Sequence, residues 1–171
     1  MFKKMWPVIM GLCLGFCVSA FCQDNAGAAS EPALHIDIPT KLDTANVVID
    51  FGHVVFGGDM PFALGDIHLL SNDLRDWKAT NQIVVIFHGD AAYLVLNDGT
   101  YNTTRHVTTG NPYKGLLNEL MGHGMHLELC GATARGNHWG NTNLLPGVKV
   151  NLNAMVRLTQ LEQQGFTLIY Q

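Results

Sequence analysis

The chain has 171 residues, which is enough for one domain and hardly enough for two. Hydrophobic residues make up 47% and charged residues 14%, a composition that can build a core and that excludes a disordered chain. The formal net charge is −4, and lysine and arginine form no basic stripe, so we expect no nucleic-acid partner.

Residues 1–20 have the layout of a secretory signal peptide. Lys3 and Lys4 precede an apolar run, which ends in the small-residue cleavage pattern Val18-Ser19-Ala20. The apolar run is shorter than the ~20 residues of a membrane-spanning helix. We therefore expect a periplasmic or secreted protein without membrane attachment after cleavage. Losing the two lysines would take the net charge from −4 to −6.

The cleavage point decides how many cysteines the mature chain keeps. A cut after Ala20 retains Cys22, whereas a cut within residues 26–29 leaves Cys130 as the one cysteine. Export places the chain in an oxidising compartment, where a lone cysteine is free, modified or joined to a partner. We interpret the polar residues 21–44 as a flexible linker and residues 45–171 as the folded domain.

The first half of this domain alternates apolar segments with glycine-rich ones. A β-branched run predicts a strand at residues 46–51, and glycines predict a loop at residues 52–61. Apolar residues spaced three and four apart predict a helix at residues 62–78. The near-continuous apolar run at residues 82–88 is typical of a strand buried on both faces of a parallel sheet.

The middle of the domain leads to a strand that ends in a cysteine. Residues 91–96 are apolar but do not distinguish strand from helix, and the sequence Asn-Asp-Gly-Thr predicts a turn at residues 97–100. A proline near the start and a glycine after the end mark a helix at residues 112–121. Residues 126–130 are predicted to form the central strand, which ends at Cys130.

After Cys130 we expect a glycine turn and a short helix that carries Arg135. Residues 148–151 then predict a short strand, and residues 166–170 a final one. The helix predicted between them, residues 153–164, has an apolar face formed by Met155, Leu158 and Leu161.

Strands that alternate with helices indicate an α/β fold with a mostly parallel sheet. Ligands in such sheets bind beyond the carboxyl ends of the strands. These ends carry residues 51–53, 88–90 and 130–131, which brings His88 within plausible reach of Cys130.

Cys130 is the first candidate for a catalytic residue, and Arg135 and His88 are the other two candidates. A thiol at a strand end, just before a helix start, lies where helix amides and a nearby cation favour the thiolate. Arg135 would supply that cation, and His88 could move a proton. The alternative is that Cys130 is an inert, small hydrophobic residue of the core.

Histidines near Cys130 leave a metal site open as a less favoured alternative. His123, His126 and His138 lie close to Cys130 in the sequence, and zinc or copper uses such ligands. Their spacing matches no metal-binding signature, so we expect no metal. Dinucleotide fingerprints, P-loops and nucleophile elbows are also absent from the sequence, and we expect no cofactor.

Glu128 is an acidic residue within an apolar strand. If both faces of the sheet are covered, its carboxylate needs a partner or a subunit interface, and His126 or Arg135 could be that partner. If the strand instead lies at an edge, Glu128 faces water.

Three segments of the sequence resemble the DsrE/DsrF-like family, in order and in spacing. One is the run 83–89 with residues 92–94, and the second is Cys130-Gly131 followed by residues 134–136. The strongest is Leu-Leu-Pro-Gly-Val-Lys-Val at residues 144–150, followed by a helix and by Gln-Gly-Phe at residues 164–166. The resemblance covers roughly residues 47–170.

The resemblance implies a flavodoxin-like, three-layer α/β sandwich that assembles as a trimer or hexamer. It also implies sulfur handling, in which a cysteine at the position of Cys130 receives sulfur as a persulfide and passes it on. The partners would then be a sulfur-donor or sulfur-acceptor protein. Two other hypotheses remain open, namely a non-enzymatic oligomeric binding module with a structural Cys130, and a zinc or copper carrier.

Overall fold

The computed structural model describes residues 34–171. The chain divides into two units, Met1–Pro39 and Thr40–Gln171. The described part of the first unit, residues 34–39, contains no helix or strand. The predicted signal peptide lies outside the described residues. Within residues 34–171, no helix is both long enough and apolar enough to cross a membrane.

The second unit is built on a sheet of five parallel strands in the described part of the chain. Its strands lie in the order β6-β5-β4-β1-β7, and a small antiparallel pair, β2 and β3, stands apart from it. The strands found in residues 34–171 are β1 (Thr44–Phe51), β2 (Phe56–Gly57), β3 (Met60–Pro61), β4 (Thr80–Phe87), β5 (His126–Cys130), β6 (Lys149–Asn151) and β7 (Thr167–Tyr170).

Helices connect these strands, as parallel pairing requires. Within the described residues they are α1 (Phe62–Asp76), α2 (Asp98–Arg105), α3 (Lys114–Gly122), α4 (Gly131–Gly136) and α5 (Ala154–Gln163). Two 3₁₀ helices, Gly89–Val95 and Asn141–Asn143, complete the connections.

The core lies on both faces of the sheet, because alternate residues of each strand point to opposite sides. On one face, Ile83, Val85 and Phe87 of β4 pack with buried residues of α1 and α3. On the other face, Val84 and Ile86 pack against α5. Helices on both faces of a parallel sheet make a three-layer α/β sandwich, which confirms the predicted fold class.

Most predicted elements lie within a few residues of their predicted bounds. The strand at the centre of the sheet, however, is not the one that the sequence analysis predicted. The buried run at residues 82–88 is β4, and β4 rather than β5 lies at the centre. The predicted loop at residues 52–61 contains the β2–β3 pair. The undecided segment 91–96 belongs mainly to the 3₁₀ helix Gly89–Val95.

The turn predicted at residues 97–100 is wrong. Asn97 is the N-cap of α2, and its side-chain oxygen accepts a hydrogen bond from the Thr100 amide at 2.9 Å. Asparagine and aspartate favour both turns and helix starts for one reason, because their short polar side chains accept hydrogen bonds from nearby amides. The predicted face of α5 is also partly wrong, since Leu158 and Leu161 are buried but Met155 is 80% exposed.

Candidate functional site

The carboxyl ends of three neighbouring strands meet at one edge of the sheet. Phe51 of β1 pairs with Phe87 of β4, and Phe87 pairs with Leu129 of β5. The next residues after Phe87 and Leu129 are His88 and Cys130, so the register gives them neighbouring positions. The extended backbone of His88 continues the alternation of β4, and this places both residues on the face covered by α5.

Cys130 lies between the starts of two helices. It is the N-cap residue of α4, and its sulfur accepts a hydrogen bond from the Ala154 amide, the first residue of α5, at 3.2 Å. The glycine turn predicted after Cys130 is absent, because α4 begins directly at Gly131. Helix starts carry unpaired amides and a partial positive charge, and both favour a thiolate.

The pKa of the Cys130 thiol is lower than that of a free cysteine. Burial alone would raise its pKa, but hydrogen bonds lower the pKa and outweigh it. Their donors are the Thr133 amide, the Thr133 hydroxyl and the amides of Ala154 and Ala132. The residue is 5% exposed, so reagents reach only a small part of it.

Thr133 links this thiol to the end of β4. Its hydroxyl donates toward Cys130, and its oxygen accepts a hydrogen bond from the Gly89 amide at 3.4 Å. Gly89 has a φ of 50°, a left-handed conformation that glycine adopts without strain. A turn after β4 thus orients the hydroxyl that bonds the sulfur.

His88 is paired with a carboxylate that the sequence analysis did not consider. Its Nε2 lies 2.5 Å from Oδ1 of Asp50 on β1, and both side chains are partly buried. Because a carboxylate can only accept, the Nε2 atom carries a proton and donates it. Gly52 makes room for the ring, since a Cβ there would lie 2.6 Å from His88 Cε1.

Arg135 lies on α4 close to the same region, but its contact is with another group. Its Nη2 atom donates to the carbonyl oxygen of Leu152 at 3.4 Å. Backbone amides and the Thr133 hydroxyl are the groups that lower the thiol pKa. The predicted role of Arg135 as the cation beside the thiolate stays a prediction.

Glu128 forms a buried ion pair two residues before Cys130 on β5. Arg157 of α5 donates to both carboxylate oxygens, with Nη2 at 2.8 Å from Oε1 and Nε at 3.0 Å from Oε2. Asn151 Nδ2 donates to Oε2 at 3.0 Å. The predicted partners His126 and Arg135 are therefore wrong, and so is the water-facing alternative, since Glu128 is only 7% exposed. The ion pair ties β5 to α5 just below the thiol.

The sequence matches one family of proteins over most of its length. The DsrE/DsrF-like family model matches residues 40–170. The chain belongs to the DsrE/DsrF-like family. Membership suggests a role related to sulfur relay. A comparison with curated proteins found no match.

Two solved structures have the same DsrE-like fold. The ychN protein from E. coli has a TM-score of 0.52 and 16% identity, and the match covers 74% of this chain and 99% of that one. MTH1491, a protein of unknown function from Methanobacterium thermoautotrophicum, has a TM-score of 0.51 and 19% identity, with 75% and 98% covered. At these identities the likeness concerns the fold, which is flavodoxin-like.

Two of the histidines considered as metal ligands lie at the opposite end of β5 from Cys130 in this DsrE-like domain. His123 and His126 stand at or before the start of β5, whereas Cys130 ends it. His123 contacts Ser71 and Arg75 instead. Within residues 34–171, no three histidine, cysteine, aspartate or glutamate side chains lie close enough together to hold a metal ion.

The sequence analysis missed Asp50, Thr133 and Arg157. Asp50 carried a signal, because an acidic residue in a β-branched strand needs a partner when the strand is buried. Nothing in the sequence around Thr133 or Arg157 indicates a role, because their roles depend on how α4 and α5 pack against β5.

Proposed function

We propose that this DsrE-like protein is exported and that Cys130 acts as a sulfur acceptor or thiol-exchange residue. The observation that carries the proposal is the set of donors around Cys130 Sγ. Amides from α4 and α5 and the Thr133 hydroxyl all point to the sulfur and lower its pKa. A thiolate is the nucleophilic form of cysteine, so these donors increase the fraction of Cys130 that can react at a given pH.

The proposed sulfur transfer has two steps and no net oxidation. The Cys130 thiolate attacks the outer sulfur of a donor persulfide, an S–S bond forms at Sγ, and the donor's S–S bond breaks. The donor leaves as a thiolate, which takes a proton. An acceptor thiolate then attacks the outer sulfur on Cys130 and restores the Cys130 thiolate.

His88 would move protons in these steps. Asp50 holds the proton on Nε2, which leaves Nδ1 to accept and return a proton at the strand ends. Arg135 lies on α4, the helix that begins directly after Cys130. Its positive charge would attract an anionic sulfur donor.

A persulfide-loading experiment tests this role. The purified protein is treated with glutathione persulfide, and peptide mass spectrometry locates the added sulfur. We expect one sulfur on Cys130, none at that position in Cys130→Ser, and slower loading in Thr133→Val. A protein that carries no sulfur on Cys130, even in excess donor, would contradict the proposal.

Export and assembly are part of the same proposal. We expect the mature protein in the periplasm or medium, with its first residue after the signal peptide, and a trimer or hexamer in solution. Cell fractionation with amino-terminal mass spectrometry tests the first expectation, and light scattering tests the second. An intact leader in the cytoplasm, or a monomer, would contradict them.

An oligomeric binding module is the second candidate function. It is favoured by the 5% exposure of Cys130, which is low for a thiol that must meet a partner. In that case Cys130→Ser would retain assembly, stability and cellular phenotype, whereas a sulfur carrier would lose its phenotype.

A further inference from the structure

A cavity of about 270 Å³ lies at the amino-terminal edge of the sheet, at the opposite end of β4 and β5 from Cys130. Two basic side chains, one histidine, one serine and one asparagine line it, together with four apolar residues. Its lining residues are Ser71, Leu74, Arg75, Lys78, Ala79, Asn81, Ile83, His123 and Met125.

Within the described residues, the two basic side chains that line this cavity form no ion pair. Among residues 34–171, no carboxylate lies within 4.0 Å of the charged nitrogens of Arg75 or Lys78. The positions three and four residues from Arg75 along α1 and its end are serine, asparagine, lysine and alanine. Glu119 of the neighbouring helix α3 is engaged by His68 at 3.1 Å. Neither Arg75 nor Lys78 therefore forms an ion pair within the described residues, and both charges stay available to an anionic ligand.

Two hydrogen bonds through His123 hold the exposed Arg75 side chain in place. Its Nη1 atom donates to His123 Nε2 at 2.8 Å, so His123 Nδ1 is the nitrogen that donates to Ser71 Oγ at 3.0 Å. Ser71 is 4% exposed. Because Nδ1 donates, this histidine cannot take the serine's proton, and the pair is not a nucleophile with its base. Its effect is to fix a guanidinium at the cavity, with further N–H donors left for a ligand.

Lys78 stands where glycine is the usual residue. It follows α1 with a φ of 57°, and the Ala79 amide closes the helix end on the Leu74 carbonyl at 2.9 Å. A lysine is strained in this left-handed conformation, although its charge also suits the carboxyl end of a helix. Replacement of Lys78 by glycine removes the strain and the charge together, so its effects on stability and on binding have to be measured separately.

We propose that this cavity binds a small organic oxyanion, a carboxylate or sulfonate with a short apolar part. Arg75 and Lys78 would bind the oxyanion, and Leu74, Ile83 and Met125 would contact the apolar part. The volume is just below the ~300 Å³ at which pockets for drug-sized molecules begin, so the ligand is small. This site is independent of Cys130.

Isothermal titration calorimetry with butane-1-sulfonate tests the site. We expect saturable binding in the millimolar range, weaker binding of inorganic sulfate, and none of butan-1-ol at the same concentrations. Arg75→Gln should weaken binding at least tenfold and Arg75→Lys less. Arg105→Gln is the matched control, because Arg105 also lies in the last turn of a helix and outside the cavity, and it should bind like the unchanged protein.

Lys78→Gly separates ligand binding from helix stability. Glycine relieves the left-handed strain, so we expect an unchanged or higher melting temperature together with severalfold weaker binding of butane-1-sulfonate. The proposal is overturned if butane-1-sulfonate does not saturate, if butan-1-ol binds equally well, or if Arg75→Gln and Arg105→Gln lose the same affinity. Unchanged binding in Lys78→Gly would remove Lys78 from the site.

Discussion

His88 donates its Nε2 proton to Asp50 Oδ1 between the neighbouring strands β4 and β1. We therefore predict that the neutral form of His88 is the Nε2–H tautomer, with Nδ1 unprotonated. Long-range ¹H–¹⁵N correlation spectra report the tautomer directly. Asp50→Ala should release the ring and destabilise the fold by about 1.5 kcal/mol, because a partly buried charge-assisted hydrogen bond is lost. Urea unfolding measures this change.

The matched control for Asp50 is Asp90→Ala. Asp90 lies 3.5 Å from His53, but both side chains are highly exposed, and we expect almost no change in stability. A His88 found as the Nδ1–H tautomer in the unchanged protein would contradict the assignment.

The Thr133 hydroxyl is predicted to set the acidity of Cys130. Despite its burial, hydrogen bonds from Thr133, Ala154 and Ala132 hold the pKa of this thiol below its ordinary value, so the thiolate is lost at a lower pH than in a free cysteine. Thr133→Val removes one of the donors and should move the midpoint of iodoacetamide alkylation to higher pH, with a severalfold slower reaction at pH 7. Thr133→Ser keeps the hydroxyl and should restore both.

Two results would contradict this prediction. One is an alkylation midpoint of Cys130 at or above that of free cysteine, about pH 8.5. The other is a Thr133→Ser variant that behaves like Thr133→Val, because the effect would then come from packing rather than from the hydroxyl.

The Glu128–Arg157 ion pair is predicted to contribute strongly to stability. Both side chains are mainly buried, so Arg157→Ala leaves a carboxylate in the interior with Asn151 as its remaining partner. We expect a loss of roughly 3 kcal/mol in the free energy of unfolding. Adding Glu128→Gln to Arg157→Ala should recover part of this loss, and a double-mutant cycle of these two substitutions would measure the coupling energy.

The comparison for that cycle is the pair Lys114 and Asp98, whose side chains are about half exposed. Lys114→Ala should change stability far less, because exposed pairs are screened by solvent. Equal losses at the two pairs would show that burial does not set the strength of the Glu128 interaction.

The elements that the sequence predicts best are those in which one local pattern decides the structure. The continuous apolar run of β4 and the strand ending at Cys130 are found where the pattern predicts them. The start of α2 has the sequence of a turn, because the Asn97 side chain that caps the helix could equally close a turn. The residues after Asn97 decide between the two structures, and their apolar pattern is weak.

The candidate site was predictable only in part, for a related reason. The strand end at Cys130 follows from the apolar pattern, and the approach of His88 follows from parallel pairing. The donors to Cys130 include the Ala154 amide, which comes from a helix start 24 residues later. A backbone amide is present in nearly every residue, so the sequence does not indicate which amide bonds the sulfur. The packing of α5 reveals this contact.

Gly131 is predicted to be required where α4 begins, because the chain leading into α5 passes directly over it. A Cβ at this position would lie 2.3 Å from the Asn151 carbonyl oxygen and 2.9 Å from that of Leu152. Gly131→Ala should therefore cost about 2 kcal/mol, as other overpacked sites do. It should also push the Ala154 amide away from Cys130 and raise the pH at which the thiol is alkylated.

Gly136, the last residue of the same helix, is the matched control. A Cβ there would meet nothing within 4 Å, so Gly136→Ala should be neutral or stabilising by up to about 1 kcal/mol. Thermal unfolding and pH-dependent alkylation of the two variants measure both effects. If Gly131→Ala is as stable as Gly136→Ala and its thiol is equally acidic, then the close approach of residues 151–152 does not hold the Cys130 site together.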